Sequence, residues 1–294
     1  MLFSDLLATA LLTGSALSIP LVPRELSPYT SDIEVHSSCN ATQRRMLQKA
    51  LSDTYEVASF AKEYITTNGG DDPIFQQYFG TDTGSYTQVI GIWDAFLTSN
   101  KEGVLLRCDN PDGNCGQDGW RGHWRGDNAT SETVICDLSY TDRLFNENFC
   151  MFGYELVSQK PSTFWSIDLI HRFFHVPAVT NGKVDHYAED YTGILELAEH
   201  NSTYAAVDSN ALQYFAAHVY ALEVAKGGDA CIGKVAESSS SEASSLATSA
   251  SSTGSSVPDA SSSSTPAASS TAATSSDNAG KDCHTHADGA VHCV

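Results

Sequence analysis

The stretch that decides the reading is Trp165-Ser166-Ile167-Asp168-Leu169-Ile170-His171-Arg172-Phe173-Phe174-His175. Its apolar positions recur at helical spacing, and Val176-Pro177 ends the pattern, so the two histidines fall in the last turn of a helix over residues 162–175. Four residues apart, they lie one above the other on one face and can grip a single metal ion. Zinc hydrolases built on His-Glu-x-x-His use the Glu beside the first histidine to take a proton from the metal-bound water. Arg172 occupies that place here. A guanidinium stays protonated and offers donors only, so the segment keeps the metal-binding spacing and lacks the general base.

A zinc site needs three or four ligands in a tetrahedral array, so a further side chain must arrive from elsewhere. The segment Gly182-Lys183-Val184-Asp185-His186-Tyr187-Ala188-Glu189-Asp190-Tyr191 is dense in donors. A turn at Asn181-Gly182 would bring it back over the helix end, with Asp185 ranked first as the third ligand and Glu189 or Asp190 in reserve. Arg172 is expected to pair with a nearby acid, Glu189 or Asp190, and to stabilise the helix end. His200 and His218 read as ordinary helix residues, and His36 and His123 carry no pattern.

Outward from this segment, helices are expected over residues 40–66, with Asn40 or Thr42 as N-cap, and over 86–98, 187–200 and 208–226. Short strands are expected at 104–108 and 134–138, forming a disulfide-pinned ribbon around a turn-rich acidic loop at 109–116. That loop has no Glu at the twelfth position of a calcium loop and reads as turn chemistry. The fold class is α+β, mainly helical.

The chain of 294 residues divides by composition. Residues 1–18 read as a secretory signal peptide, 19–32 as a lead or pro-segment, and 33–234 as one folded domain. Residues 235–282 form a Ser/Thr/Ala-rich stalk that cannot bury a core, and 283–294 a Cys/His tail. No other segment could cross a bilayer, and no membrane insertion is expected. Behind a signal peptide, eight cysteines mean disulfides; six lie in the domain and two in the tail, so each set can close on itself, with connectivity left open. Sequons place N-glycans on Asn40, Asn128 and Asn201. A net charge of −20 argues against nucleic acid and anionic membranes as partners and is compatible with cations.

The tail, Cys283-His284-Thr285-His286-Ala287-Asp288-Gly289-Ala290-Val291-His292-Cys293, has no fold to serve. If Cys283 and Cys293 form a disulfide, it preorganises His284, His286 and His292 as imidazole ligands; reduced, the two cysteines are thiolate ligands themselves.

Taken together, His171-Arg-Phe-Phe-His175, Val176-Pro177-Ala178, the segment from Val184 to Tyr191, Asp208-Ser209-Asn210-Ala211-Leu212-Gln213-Tyr214-Phe215-Ala216, the Ser-rich linker and the terminal Cys-His-Thr-His…His-Cys resemble the fungal pH-regulated antigen or zincophore family. That family includes a major mould allergen and is similar to the deuterolysin, or aspzincin, metallopeptidases. The resemblance covers nearly the whole mature chain. It implies a zincin-like, deuterolysin-type domain, with the peptidases' histidine ligands at His171 and His175 and their Gly-Thr-x-Asp ligand at Asp185. Arg172 for Glu and Lys183 for Thr depart from the peptidase pattern. The implied function is a secreted, partly cell-wall-associated protein without peptidase activity. It would scavenge Zn2+ and deliver it to a cell-surface zinc transporter. Relatives in this family also bind host complement and adhesion proteins. Two other readings are a weak zinc metalloendopeptidase using Glu189 as base and a cell-surface antigen with structural zinc.

Overall fold

Helix α1 (Ala41–Asn68) is set by its ends. Asn40 Oδ1 accepts from the backbone N–H groups of Thr42 and Gln43, at 2.9 and 3.0 Å, while Gln43 returns its side-chain oxygen to the Asn40 N–H. Gly69, at φ 84°, stops the helix and donates its N–H to the Ile65 carbonyl. Between these caps Leu47, Ala50, Leu51, Ala58, Ala61 and Ile65 make one buried stripe. Of the two candidate caps, Asn40 is the one used.

A computed structural model describes residues 33–234 and the backbone of two short strands, 283–285 and 291–293. The segments read above as signal peptide, lead and stalk lie outside the described residues, as does His286. The architecture is α+β and mainly helical. α1 packs on α3 (Thr83–Thr98), α5 (Trp165–Phe174) and α9 (Ser209–Glu223), and α5 also packs on α9. Every residue of α5 is buried, and α9 is buried from Ser209 to Ala221, so both are core helices enclosed by the others. Asp72, Asp82, Asp190 and Asp208 cap α2 (Pro73–Phe79), α3, α7 (Tyr191–His200) and α9 with their side-chain oxygens. Shorter helices α4 (Asp137–Asp142), α6 (Pro177–Thr180), α8 (Ser202–Ala205) and α10 (Gly228–Ile232) connect these elements.

A four-stranded sheet flanks the helices in the order β1-β2-β4-β3, formed by β1 (Glu34–Val35), β2 (Leu105–Arg107), β3 (Gly122–Trp124) and β4 (Glu132–Ile135). β2 is parallel to β1 and β4, and β3 is antiparallel to β4. The expected ribbon is therefore corrected. The two strands are neighbours, but parallel, and no disulfide joins them: Cys108 pairs with Cys39 and Cys136 with Cys115. Residues 137 and 138, expected as strand, begin α4. Cys150–Cys231 completes the pairing of the six domain cysteines among themselves. Each sequon asparagine is exposed, and in Asn40 and Asn201 the helix cap uses the side-chain oxygen, leaving the nitrogen that a glycan would join. Among the described residues no helix is long and apolar enough to cross a membrane.

Near β3 the acidic loop is tied down by arginines: Asp109 to Arg107, Arg107 and Arg125 to Glu132, and Arg125 and His123 to Asp112. The Arg125 guanidinium, with a smaller part from His123, holds the Asp112 carboxyl down at about 2. A depressed carboxyl stabilises the fold above its unfolded pKa near 4 and loses that contribution as pH falls toward 2. Asp112→Asn is therefore expected to lower unfolding free energy by about 2 kcal/mol at pH 7. Urea melts should show the gap to the unaltered protein closing by pH 2, and a gap constant with pH would refute it.

Candidate metal centre

The end of α5 and the chain that follows α6 converge. His171 is buried in the helix, and His175 sits at its C-cap, held by N–H donation to the Arg172 and Phe173 carbonyls. Asn181, in the left-handed region at φ 54°, and Gly182, at φ 63°, turn the chain back, as the turn residues promised. This turn delivers His186 rather than Asp185. The ligand-capable atoms of His171, His175 and His186 all lie within 4.8 Å of one another. Their ring centroids form a near-equilateral triangle with sides of 5.1, 5.1 and 5.0 Å.

His175 Nε2 and His186 Nε2 are 3.1 Å apart. Two imidazole nitrogens bound to one tetrahedral zinc at 2.0–2.1 Å would be about 3.4 Å apart. The donor set therefore fits a borderline-soft cation that favours nitrogen, and the described residues supply three of the four ligands of a tetrahedral site.

Asp185 is not part of this group among the described residues. Its backbone bridges to the start of α9, the N–H donating to the Val207 carbonyl and the carbonyl accepting from Ser209. Its exposed carboxylate accepts from the N–H of His186, the next residue. Because successive side chains of an extended segment point to opposite sides, fixing Asp185 in this bridge directs His186 to the helix. Glu189 and Asp190 are exposed, and Asp190 caps α7. The signal that could have found His186 was its chemistry, a third imidazole one residue beyond the favoured carboxylate.

The surroundings fix the rings. Gln213, on α9, places its side-chain nitrogen 2.9 Å from His171 Nδ1 and 3.0 Å from the Ser209 carbonyl. Trp124 of β3 stacks on His175 at 6.1 Å and 22°. Such outer contacts orient metal-binding imidazoles, so Gln213→Ala should weaken metal affinity by about 10- to 100-fold. Calorimetric titration checks this, and an unchanged affinity would refute it.

Arg172 corrects the expected pairing with Glu189 or Asp190. Its Nε donates to Asp168 Oδ2 at 2.9 Å, one turn back on α5, while Arg143 Nη2 meets Asp168 Oδ1 at 2.7 Å. All three side chains are buried. The Arg172 guanidinium also packs under Gly122, where an added Cβ would meet its central carbon at 3.0 Å and the Val134 carbonyl at 2.4 Å. Only glycine fits there. The residue in the general-base position is thus a tie between α5 and β3.

A second cluster, Cys115, His123 and Cys136, also has donors within 4.8 Å, but its two sulfurs are joined in a disulfide. His123 is kept neutral-leaning by burial, which lowers its pKa, and bonds Asp112. His218, read as an ordinary helix residue, is buried and bonded to the Tyr78 hydroxyl. Of the tail histidines, His284 and His292 lie opposite each other in the two-strand hairpin of β5 (Cys283–Thr285) and β6 (Val291–Cys293). Cys283 and Cys293 are likewise register partners.

The chain is 46% identical over 267 residues to "Antigen 1" of Emericella nidulans, covering 91% of this chain and 90% of that protein. It is 49% identical over 261 residues to "Major allergen Asp f 2" of Aspergillus fumigatus, covering 88% and 84%. Among solved structures, a zinc peptidase from Grifola frondosa aligns with 61% of this chain and 97% of its own, at a TM-score of 0.45 and 13% identity. A family model described as "HRXXH: Putative peptidase family" matches residues 20–234, and its name spells His171, Arg172 and His175. The chain belongs to the HRXXH family, together with these fungal antigens.

Proposed function

We propose that this protein is a secreted zinc-binding protein that takes up extracellular Zn2+ at His171, His175 and His186 and releases it to a cell-surface zinc transporter, without peptidase activity. The observation that carries the reading is the 3.1 Å approach of His175 and His186 Nε2 within a triangle of three imidazoles. Bound zinc would act as a Lewis acid and could polarise a water at the open position. Among the described residues, the positions expected to carry the general base do not supply one. Arg172 cannot accept a proton, Asp168 is enclosed between two guanidiniums, and Glu189 is exposed and outside the ligand group. The three neutral imidazoles bring no negative charge, so the ion keeps its full charge, and one open position gives an acceptor a place to attach before the ion leaves.

The test is a zinc titration by calorimetry with metal content by mass spectrometry, alongside hydrolysis of an unstructured protein substrate. Zinc bound at His171, His175 and His186 with no cleavage supports the reading. Cleavage blocked by a chelator would replace it with the metallopeptidase. Absence of zinc binding would leave the antigen reading, in which the glycosylated acidic surface binds partners.

A further inference from the structure

His123 and the Cys115–Cys136 disulfide meet at one end of the β3–β4 pair. His123 stands opposite Val134, and the pairing runs on past Ile135 through the N–H of Cys136, which donates to the Arg121 carbonyl at 3.0 Å. Residues two apart in an extended segment share a face, so Cys136 is the diagonal neighbour of His123 on one side of the ribbon. Cys115 arrives from the acidic loop. Its N–H donates to Asn110 Oδ1 at 3.1 Å, and the Arg125 guanidinium clamps Asp112 at 2.8 and 2.9 Å, which holds the loop against β3. A ring nitrogen of His123 and the two sulfurs thereby come within 4.8 Å of one another.

The two ring nitrogens of His123 are in different states. Asp112 is ionised, its carboxyl held down at about 2 chiefly by Arg125, and a carboxylate only accepts. At 3.0 Å from Asp112 Oδ2, Nε2 therefore carries the proton, and burial keeps the ring from taking a second one. Nδ1 keeps its lone pair, is buried and has no hydrogen-bond partner. Trp120 packs edge-on against the ring at 6.0 Å and fixes it. A buried acceptor left bare calls for a reason. An imidazole oriented by a carboxylate on one nitrogen, with the other nitrogen bare, is the form in which histidine is presented to a metal.

We propose that reduction of Cys115–Cys136 converts this corner into a second metal site, in which the two thiolates and His123 Nδ1 hold a borderline-soft divalent cation of the Zn2+ type. Two cysteines and a histidine are three of the four ligands of a structural zinc set. A thiol of the glutathione class supplies the electrons: two RSH reduce the disulfide to two cysteine thiols and leave RSSR, and the entering Zn2+ displaces the two thiol protons. A disulfide oxidant reverses this. It is reduced to two thiolates while the cysteine sulfurs rejoin and the ion is released. On one zinc the sulfurs stand about 3.8 Å apart when each is about 2.3 Å from the metal, so they must separate on loading. Cys115 can give way, since it is half-buried in the turn at residues 114–116 that follows Gly113 at φ 79°, whereas Cys136 is anchored at the start of α4. This site goes beyond the zinc-binding reading above and uses none of its ligands.

The experiment uses the full mature chain without oxygen, a trialkylphosphine reductant and Co2+ as the probe, because thiolate ligands give cobalt a charge-transfer absorption that imidazoles do not. Cys115→Ser/Cys136→Ser is the reference, lacking the cross-link and the thiolates alike and keeping every other cysteine. Under reductant the unaltered chain should bind one Co2+ more per chain than this double variant, with a stronger charge-transfer band. Without reductant the two should bind alike. His171→Ala/His175→Ala should keep the extra thiolate-bound ion, which separates this site from the three-histidine centre. His123→Gln, which can still donate to Asp112, should weaken the extra ion by at least about 100-fold. Oxidised glutathione should then release one ion per chain. If circular dichroism shows that reduction unfolds the domain, Co2+ should restore the fold of the unaltered chain and not of the double variant. Equal ion counts and bands in the reduced unaltered chain and the double variant would overturn the site, as would a reduced chain that metal refolds no better than the double variant. So would loss of the extra ion with His171 and His175, or an extra ion indifferent to His123→Gln.

Discussion

Arg172→Glu, which writes a complete His-Glu-x-x-His sequence into α5, is expected to cost the protein its stability and to create no peptidase. The substitution removes one of the two guanidiniums around Asp168 and puts a second carboxylate one helical turn from it, leaving Arg143 to balance both. Asp168 is 1% exposed and Arg172 3%, so water cannot compensate. Breaking a buried pair in this way costs about 3–5 kcal/mol. For a domain of this size that lowers the melting temperature by on the order of 10 °C. The loss of the guanidinium under Gly122 adds to it, because β3 rests on that group and carries the Trp124 ring that covers His175. Arg172→Lys is the informative companion. Lysine keeps the charge and loses the planar fork, so a smaller loss is expected. A Glu variant that melts with the unaltered protein, or one that cleaves substrate under chelator control, would refute the account.

The helices were legible in the sequence because each carries both a period and a punctuation mark. α1 repeats apolar positions at helical spacing, from Leu47 to Ile65, between Asn40 and Gly69, and α5 ends where Val176-Pro177 requires it to end. What could not be read was whatever depends on tertiary position. β1 and β3 are two and three residues long and exist only through pairing with β2 and β4, so no local pattern announces them. The same holds for the site. His171 and His175 share a helix and a spacing, and were visible together. The third imidazole is brought in by a bridge between Asp185 and Asp208, residues 23 apart whose pairing no periodicity encodes. Arg172 likewise found its partner behind it on α5 and not in the acidic segment ahead, since its side chain is buried against β3 and cannot reach the solvent-facing Glu189.

His186→Ala and Asp185→Ala, neighbours in sequence, are expected to differ by orders of magnitude in metal affinity. Structural zinc sites bind with apparent free energies of about 10–16 kcal/mol, so one ligand of four carries roughly 3–4 kcal/mol, or about 10²- to 10³-fold in Kd. His186→Ala removes a ring whose Nε2 is 3.1 Å from that of His175 and should show this loss. Asp185→Ala removes only an exposed carboxylate bonded to the adjacent backbone N–H. The main-chain bridge to Asp208 does not need that side chain, so the loop should persist and affinity should fall less than tenfold. Thermal melts with and without zinc sharpen the contrast: bound metal should raise the melting temperature of Asp185→Ala as it does for the unaltered chain, and hardly at all for His186→Ala. The opposite ranking would place the carboxylate on the metal and the third imidazole beside it. In that case the charge at the centre would fall by one, the ion would be held as in an Asp-containing zinc site, and release to an acceptor would have to overcome that extra attraction.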